Sequence, residues 1–381
     1  MPKPREKPLG VSAPLPQCAR PDLRAPRPER TRRRLYIPPA MRATRRAPGP
    51  VAIQPLGPVP EGEIAFLEEV VSTLLGARSI VLPPAEVGSS HYDGARRQYD
   101  ADRLLDLLFA RLPDDAMRVM GVLDADMFAA GRTFVFGYAH LRDGIGVYSL
   151  ARLREEWYQR APDEGRLHSR VYRAVAHELG HTFGNPHCEA PGCVMAAVSH
   201  VESLDALGPS YCEECLRRVR RGLTVAPSSA EGRFQRAGAL LRRKLPERAA
   251  AAYREAALKA PLEPRYHNDL GVALLGLGAR AEARAAFHRA ADLAADFPHP
   301  FYNLGILCRE EGRVDEAEQC FAQGLARDAD RVNAHRYLGK LYDELFSDAE
   351  RARRHYLAYL ELGGAEAEIV ARASALGARP R

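Results

Sequence analysis

The run His177-Glu178-Leu179-Gly180-His181-Thr182-Phe183-Gly184-Asn185-Pro186-His187-Cys188 sets how the rest of the chain is read. It has the form HExxHxxGxxH with a cysteine directly after the last histidine. His177 and His181 are four residues apart, so on a helix they stand one above the other on the same face. Two imidazoles so placed can hold one zinc ion at about 2.0–2.1 Å each. Glu178 points off that line and is free to act as general base toward a water on the metal. Gly184 suits a left-handed turn that ends the helix, after which the chain can swing back and bring His187 in as third ligand. Three neutral imidazoles leave a fourth position for water, the pattern of a catalytic zinc site.

Outward from this run the cysteines form a second pattern. Cys188 and Cys193 enclose four residues, Met195 follows, and after sixteen intervening residues comes the pair Cys212 and Cys215. Two close cysteine pairs have the layout of a closed four-thiolate zinc site. Disulfides or a redox pair are the weaker alternative, since nothing marks the chain for an oxidising compartment.

Taken together, HExxHxxGxxHC, four residues, CxM and a later CxxC resemble the archaemetzincin family of zinc metalloproteases. The resemblance runs from near Val51 to near Val225. It implies a metzincin-like fold, a twisted mixed sheet with an active-site helix. His177, His181 and His187 would bind a catalytic zinc with Glu178 as base. Cys188, Cys193, Cys212 and Cys215 would bind a second, structural zinc, making two ions per chain. Met195 would be the methionine of the turn beneath the site. A one-residue difference from the family pattern in the spacing from Met195 to Cys212 is read as a loop-length change. Some metzincins carry a tyrosine two residues after that methionine; Ala197 stands here, so an oxyanion donor must come from elsewhere or from the metal. His200, just past the turn, is not assigned to the metal.

The 381 residues allow two or three domains. At 46% hydrophobic content packed cores are expected, and no apolar run is long enough for a membrane span. No secretory signal is readable at the start, and Cys18, Cys308 and Cys320 read as free thiols, so the expected location is the cytoplasm. The net charge of +6 is unevenly placed. Residues 1–50 hold thirteen Arg or Lys against three Asp or Glu, a local charge of +10, which leaves −4 for the remainder. The same segment holds twelve of the 29 prolines and reads as a disordered tail. Its arginine cluster has no aromatic platform beside it, so a solvated tail is favoured over nucleic-acid binding.

Between tail and motif, strands are expected at 51–57, 79–82, 118–123, 133–139 and 144–150, with helices at 61–75 and 101–112. Asp100 or Asp102 is the expected cap of the second helix. The active-site helix is expected over 166–183. Gly180 inside it predicts the close approach of another backbone. Phe134 to Tyr138 is a candidate edge against which a substrate strand could pair.

After the linker-like Pro227 to Ala230 the sequence repeats. Leu270-Gly271, Leu304-Gly305 and Leu338-Gly339 recur every 34 residues, as do Ala249, Ala283 and Ala317, and Tyr253, Phe287 and Phe321. Tyr356 continues the aromatic series one residue late. This period resembles the tetratricopeptide repeat. Four repeats are expected over 230–366, then a capping helix in 367–381, forming an all-α solenoid behind a protease domain at 51–225. Such stacks bind peptides or protein partners on a concave face. Arg336 and Lys340 are candidates for that face; a dimerising or purely structural role stays open.

The function these patterns favour is a zinc-dependent peptidase with a repeat domain for substrate or partner. The alternatives are a non-catalytic adaptor built on the repeats and an aminopeptidase restricted to short peptides.

Overall fold

The computed structural model describes residues 49–327, 332–344 and 347–378. The basic tail and Cys18 lie outside them. The first half of the described chain runs β1 (Val51–Leu56), α1 (Glu61–Leu75), β2 (Ser79–Val81), β3 (Tyr92–Asp93), β4 (Gln98–Asp100), α2 (Ala101–Arg111), β5 (Arg118–Leu123), β6 (Met127–Phe128), β7 (Gly137–Ala139), β8 (Ile145–Ser149), α3 (Glu164–Thr182), α4 (Val201–Ala206) and α5 (Glu213–Gly222).

The main sheet has the order β2-β1-β5-β8-β7. Its first four strands are parallel, and β7 pairs antiparallel to β8 at the edge. Every residue of β1 and β8 is buried, as expected where helices cover both faces of a parallel sheet. α1 packs on α3, which in turn packs on β7 and β8, while α2 packs on β5 and β8. A three-stranded sheet, β3-β4-β6, sits beside it.

The helix ends follow from local chemistry. The Asp100 carboxylate accepts from the amides of Asp102 and Arg103, so Asp100 is the cap of α2. Asp163 does the same for α3 through Arg166 N at 2.9 Å, which starts that helix two residues before the expected Arg166. Within α3, Arg170 is wholly buried yet fully used. It forms a two-pronged pair with Asp205 at 2.7 Å, contacts Glu155 at 2.7 Å and donates to the Leu153 carbonyl. This ties α3 to α4 and to the segment after β8.

The expected strand over 133–139 is shorter than its hydrophobic run. Only 137–139 pairs with β8. The Phe136 carbonyl still accepts from the Ser149 amide of β8 at 2.9 Å, and residues 133–135 leave the sheet because their main chain is engaged elsewhere. Val135 donates to the Met127 carbonyl at 3.0 Å, and the Thr133 carbonyl accepts from Gln98 and Arg96.

The second half is four helix pairs and a closing helix. They are α6 (Ala230–Arg242) with α7 (Pro246–Lys259), α8 (Pro264–Gly276) with α9 (Arg280–Leu293), α10 (His299–Glu310) with α11 (Val314–Arg327), α12 (Val332–Glu344) with α13 (Ala349–Glu361), and α14 (Ala367–Ala375). Within a pair, the small residue of one helix receives the aromatic ring of the next: Gly305 faces the Phe321 ring so closely that a Cβ would come within 2.7 Å of it. The apolar core does not break at the linker. One buried cluster runs from Val119, Leu108 and Phe109 through Ala237, Leu240 and Tyr253 to Phe287 and Leu304, and a second begins with Tyr302 and Cys308. Arg336 and Lys340 are not free for a ligand. They pair with Glu366 and Glu368 at the start of the closing helix. No helix of the described residues is long and apolar enough to cross a membrane.

Candidate active site and metal centres

α3 delivers His177 and His181 to one side of a cleft of about 600 Å³, and the return of the chain delivers His187. The reversal is made by Gly184, whose φ of +86° lies in the left-handed region that glycine enters at no steric cost. One donor nitrogen from each of the three rings lies within 4.8 Å of the others. The Nε2 atoms of His177 and His181 are 3.0 Å apart. Their Nδ1 atoms lie 2.8 Å from the Val194 carbonyl and 2.7 Å from the Asn185 carbonyl. A carbonyl can only accept, so each Nδ1 carries the proton and both Nε2 atoms present lone pairs to one another. Two facing lone pairs at that distance fit a shared cation, since a tetrahedral zinc site sets its nitrogens roughly 3.3 Å apart.

The rings are held neutral. Burial, and next the neighbouring His181, bring the pKa of His177 down to about 3. Burial also lowers His181 and His187. Neutral imidazole is the ligand form. Glu178 lies in the same cleft, with burial pushing its carboxyl up to about 8 and Arg132 opposing that rise. Its Oε2 is buried with no hydrogen-bond partner among the described residues.

The four cysteines meet on the far side of the same loop. Their sulfurs lie within 4.8 Å of one another, with Cys188 Sγ 3.7 Å from Cys212 Sγ. All four are free thiols, as are Cys308 and Cys320. The Cys212 amide donates to Cys193 Sγ at 3.3 Å and the Ala190 amide to Cys188 Sγ at 3.5 Å. Hydrogen bonding, first from the Cys215 amide, brings Cys212 down to about 7. The donor set, four sulfurs in a tetrad with amides aimed at them, suits a closed zinc site.

Met195 is completely buried, and its sulfur lies where a side chain at Gly180 would be. The neighbour that keeps position 180 small is therefore a methionine side chain, with the Tyr211 ring beside it, and not a second backbone. Ala197 is exposed, and His200 caps α4 and is not part of the cluster of three histidines. Phe134 to Tyr138 line the cleft, as does the rest of the 131–139 segment.

Four contributors were not singled out in the sequence. Asn185 orients His181 through its carbonyl and reaches the Cys215 carbonyl with its side-chain amide at 3.2 Å, so one residue touches both clusters. Val194 orients His177 through its backbone. Gly137 leaves room for the Glu178 carboxylate, which a Cβ there would strike. Arg132 lines the cleft and acts on both Glu178 and His187. Only the position of Asn185, inside the motif, offered a signal.

A sequence model of peptidase family M54 matches residues 65–221, and a tetratricopeptide-repeat model matches residues 274–341. An archaemetzincin of Pyrococcus furiosus is 35% identical over 179 residues, covering 45% of this chain and 93% of that protein. One of Methanocaldococcus jannaschii is 32% identical over 177 residues, covering 46% and 96%. A crystal structure of archaemetzincin from Archaeoglobus fulgidus complexed with malonate is 32% identical, covers 44% of this chain and 98% of that one, and has a TM-score of 0.39.

Proposed function

Since this chain belongs to the archaemetzincins, peptidase family M54, and is a zinc metallopeptidase carrying tetratricopeptide repeats, we propose that it cuts peptide bonds with Glu178 as general base beside a zinc held by His177, His181 and His187. The supporting observation is the pair of Nε2 lone pairs 3.0 Å apart with the Glu178 carboxylate in the same cleft. Bound zinc supplies Lewis acidity and brings the pKa of the attacking water toward about 7. Glu178 takes the proton from that water. The carboxyl would then pass that proton to the departing amine. Gly137 leaves the space that the carboxylate occupies. The substrate lies along β7, the sheet edge that lines the cleft, where main-chain hydrogen bonds hold it without regard to side chains.

Cys188, Cys193, Cys212 and Cys215 hold a second zinc that ties the 186–195 loop to α5. The repeats bring a protein partner or the substrate itself. The free thiols suit a reducing cytoplasm.

Glu178→Gln decides the catalytic assignment. The variant keeps its zinc, because the three imidazoles are untouched, and loses about 100- to 10,000-fold in cleavage rate. Metal analysis beside a peptide-cleavage assay reads both. A rate unchanged from that of the parent protein removes Glu178 from the mechanism. Peptides with blocked and free N-termini separate endopeptidase from aminopeptidase action.

A further inference from the structure

A groove of about 790 Å³ lies between the peptidase fold and the first two helix pairs. It begins where the cleft ends. Leu141, in the turn after β7, lines both, and Thr182 and Phe183 line the groove directly after His181, which lines the cleft. The groove wall carries six arginines, at 118, 142, 218, 221, 242 and 265, against two carboxylates, Glu231 and Asp269.

Three of those arginines are engaged. Arg242 pairs with buried Asp143 at 2.8 Å, Arg218 with Glu214 at 3.3 Å, and Arg265 with Glu263 at 2.9 Å. The other three, Arg118, Arg142 and Arg221, have no carboxylate partner among the described residues. Arg142 and Arg221 are exposed. Arg118 donates to the Met117 carbonyl and stacks over the Phe183 ring at 4.2 Å, but its Nε is buried with no partner. Burial holds its pKa down to about 10. Arg118 is only partly buried, but a cation with one buried N–H unpaired and no counter-charge gains from an anion entering the groove.

We propose that this groove binds an acidic segment of the substrate polypeptide, so that the enzyme prefers chains carrying a run of Asp or Glu to one side of the bond it cuts. The proposal rests on the peptidase reading. Continuity with the cleft at Leu141 makes the occupant the same chain that lies along β7. Charge complementarity makes the segment acidic, and it also excludes the protein's own first fifty residues, which carry +10.

The test uses the full chain with Glu178→Gln, so that binding is read apart from cleavage. Fluorescence anisotropy compares a neutral core peptide extended by four Glu, four Gln or four Lys, on its N-terminal or its C-terminal side. One Glu-extended peptide binds about tenfold tighter than its Gln counterpart, and the advantage shrinks as salt rises. Adding Arg142→Glu with Arg221→Glu, both on exposed side chains, moves the preference to the Lys-extended peptide. In the zinc-loaded parent protein the Glu extension lowers KM more than it changes kcat. Equal binding of Glu and Gln peptides, a preference that survives the charge reversal, or tighter binding of a single-stranded oligonucleotide of equal charge overturns the proposal. Cleavage without charge preference overturns the groove and leaves the peptidase. Charge-selective binding with no cleavage by the parent protein overturns the peptidase and leaves the groove.

Discussion

Gly180 sits between the two metal-facing histidines of α3, and its missing side chain is filled by the Met195 sulfur and the Tyr211 ring. Alanine there gains about 1 kcal/mol of helix propensity. It also forces a methyl group into a packed contact, which costs about 1–3 kcal/mol. The clash wins, because Met195 is itself fully buried and has nowhere to retreat. Gly180→Ala is expected to lower Tm and weaken zinc binding together; a higher Tm would show that the pocket yields. At this scale the motif residues were legible because their spacing is local: four residues on a helix, then a glycine, then a return. Val194 and Gly137 were not, since one acts through a backbone carbonyl and the other by leaving space, and Asn185 was marked only by its place inside the motif. None of these roles selects a residue type that spacing can reveal.

Cys193 and Ser210 form an isolated parallel bridge, and Cys212 caps α5, so the cysteine tetrad joins a loop to the start of a helix. A zinc held there contributes folding energy directly. Cys212→Ser is expected to reduce zinc from two ions per chain to one and to lower Tm by roughly 10 °C. Unchanged zinc content and Tm would mean that the sulfurs hold no metal. Among the elements, β1, β5, β8, α1 and α2 could be read from hydrophobic period and capping. The small sheet of β3, β4 and β6 could not, since strands of two or three residues show no period. The 133–139 run misled because its apolar residues answer to two neighbours. Val135 meets Met127 while 137–139 meets β8.

Across the whole molecule, α6 grips the peptidase fold at one buried carboxylate. Asp143 receives Arg242 at 2.8 Å and Arg243 at 2.9 Å, Arg236 donates to the Leu112 carbonyl, and both Arg236 and Arg243 lie over the Phe109 ring. Asp143 is buried but Arg242 is 45% exposed, so removing the carboxylate costs less than the about 3–5 kcal/mol of a fully buried pair. Asp143→Ala is expected to lower Tm and to speed proteolysis near residues 225–230. Unaltered digestion would show that the arginines do not hold the two halves together. The repeats themselves were legible from their period of 34, which survives in the rings packed on each small residue. The groove was not. Its arginines come from β5, the turn after β7, α5, α6 and α8, so only folding assembles them. That turn, residues 140–144, continues the edge strand along which a substrate is proposed to lie, and it also carries the carboxylate that α6 holds.

One hydrophobic cluster passes from the sheet through the first two helix pairs and ends at Leu304, on the third. Severing the gene at the proline-serine stretch would therefore leave an oily scar on each fragment, and neither would behave as a freestanding module. The seam along which this fusion could be trimmed lies farther on, inside the solenoid, where the second cluster takes over.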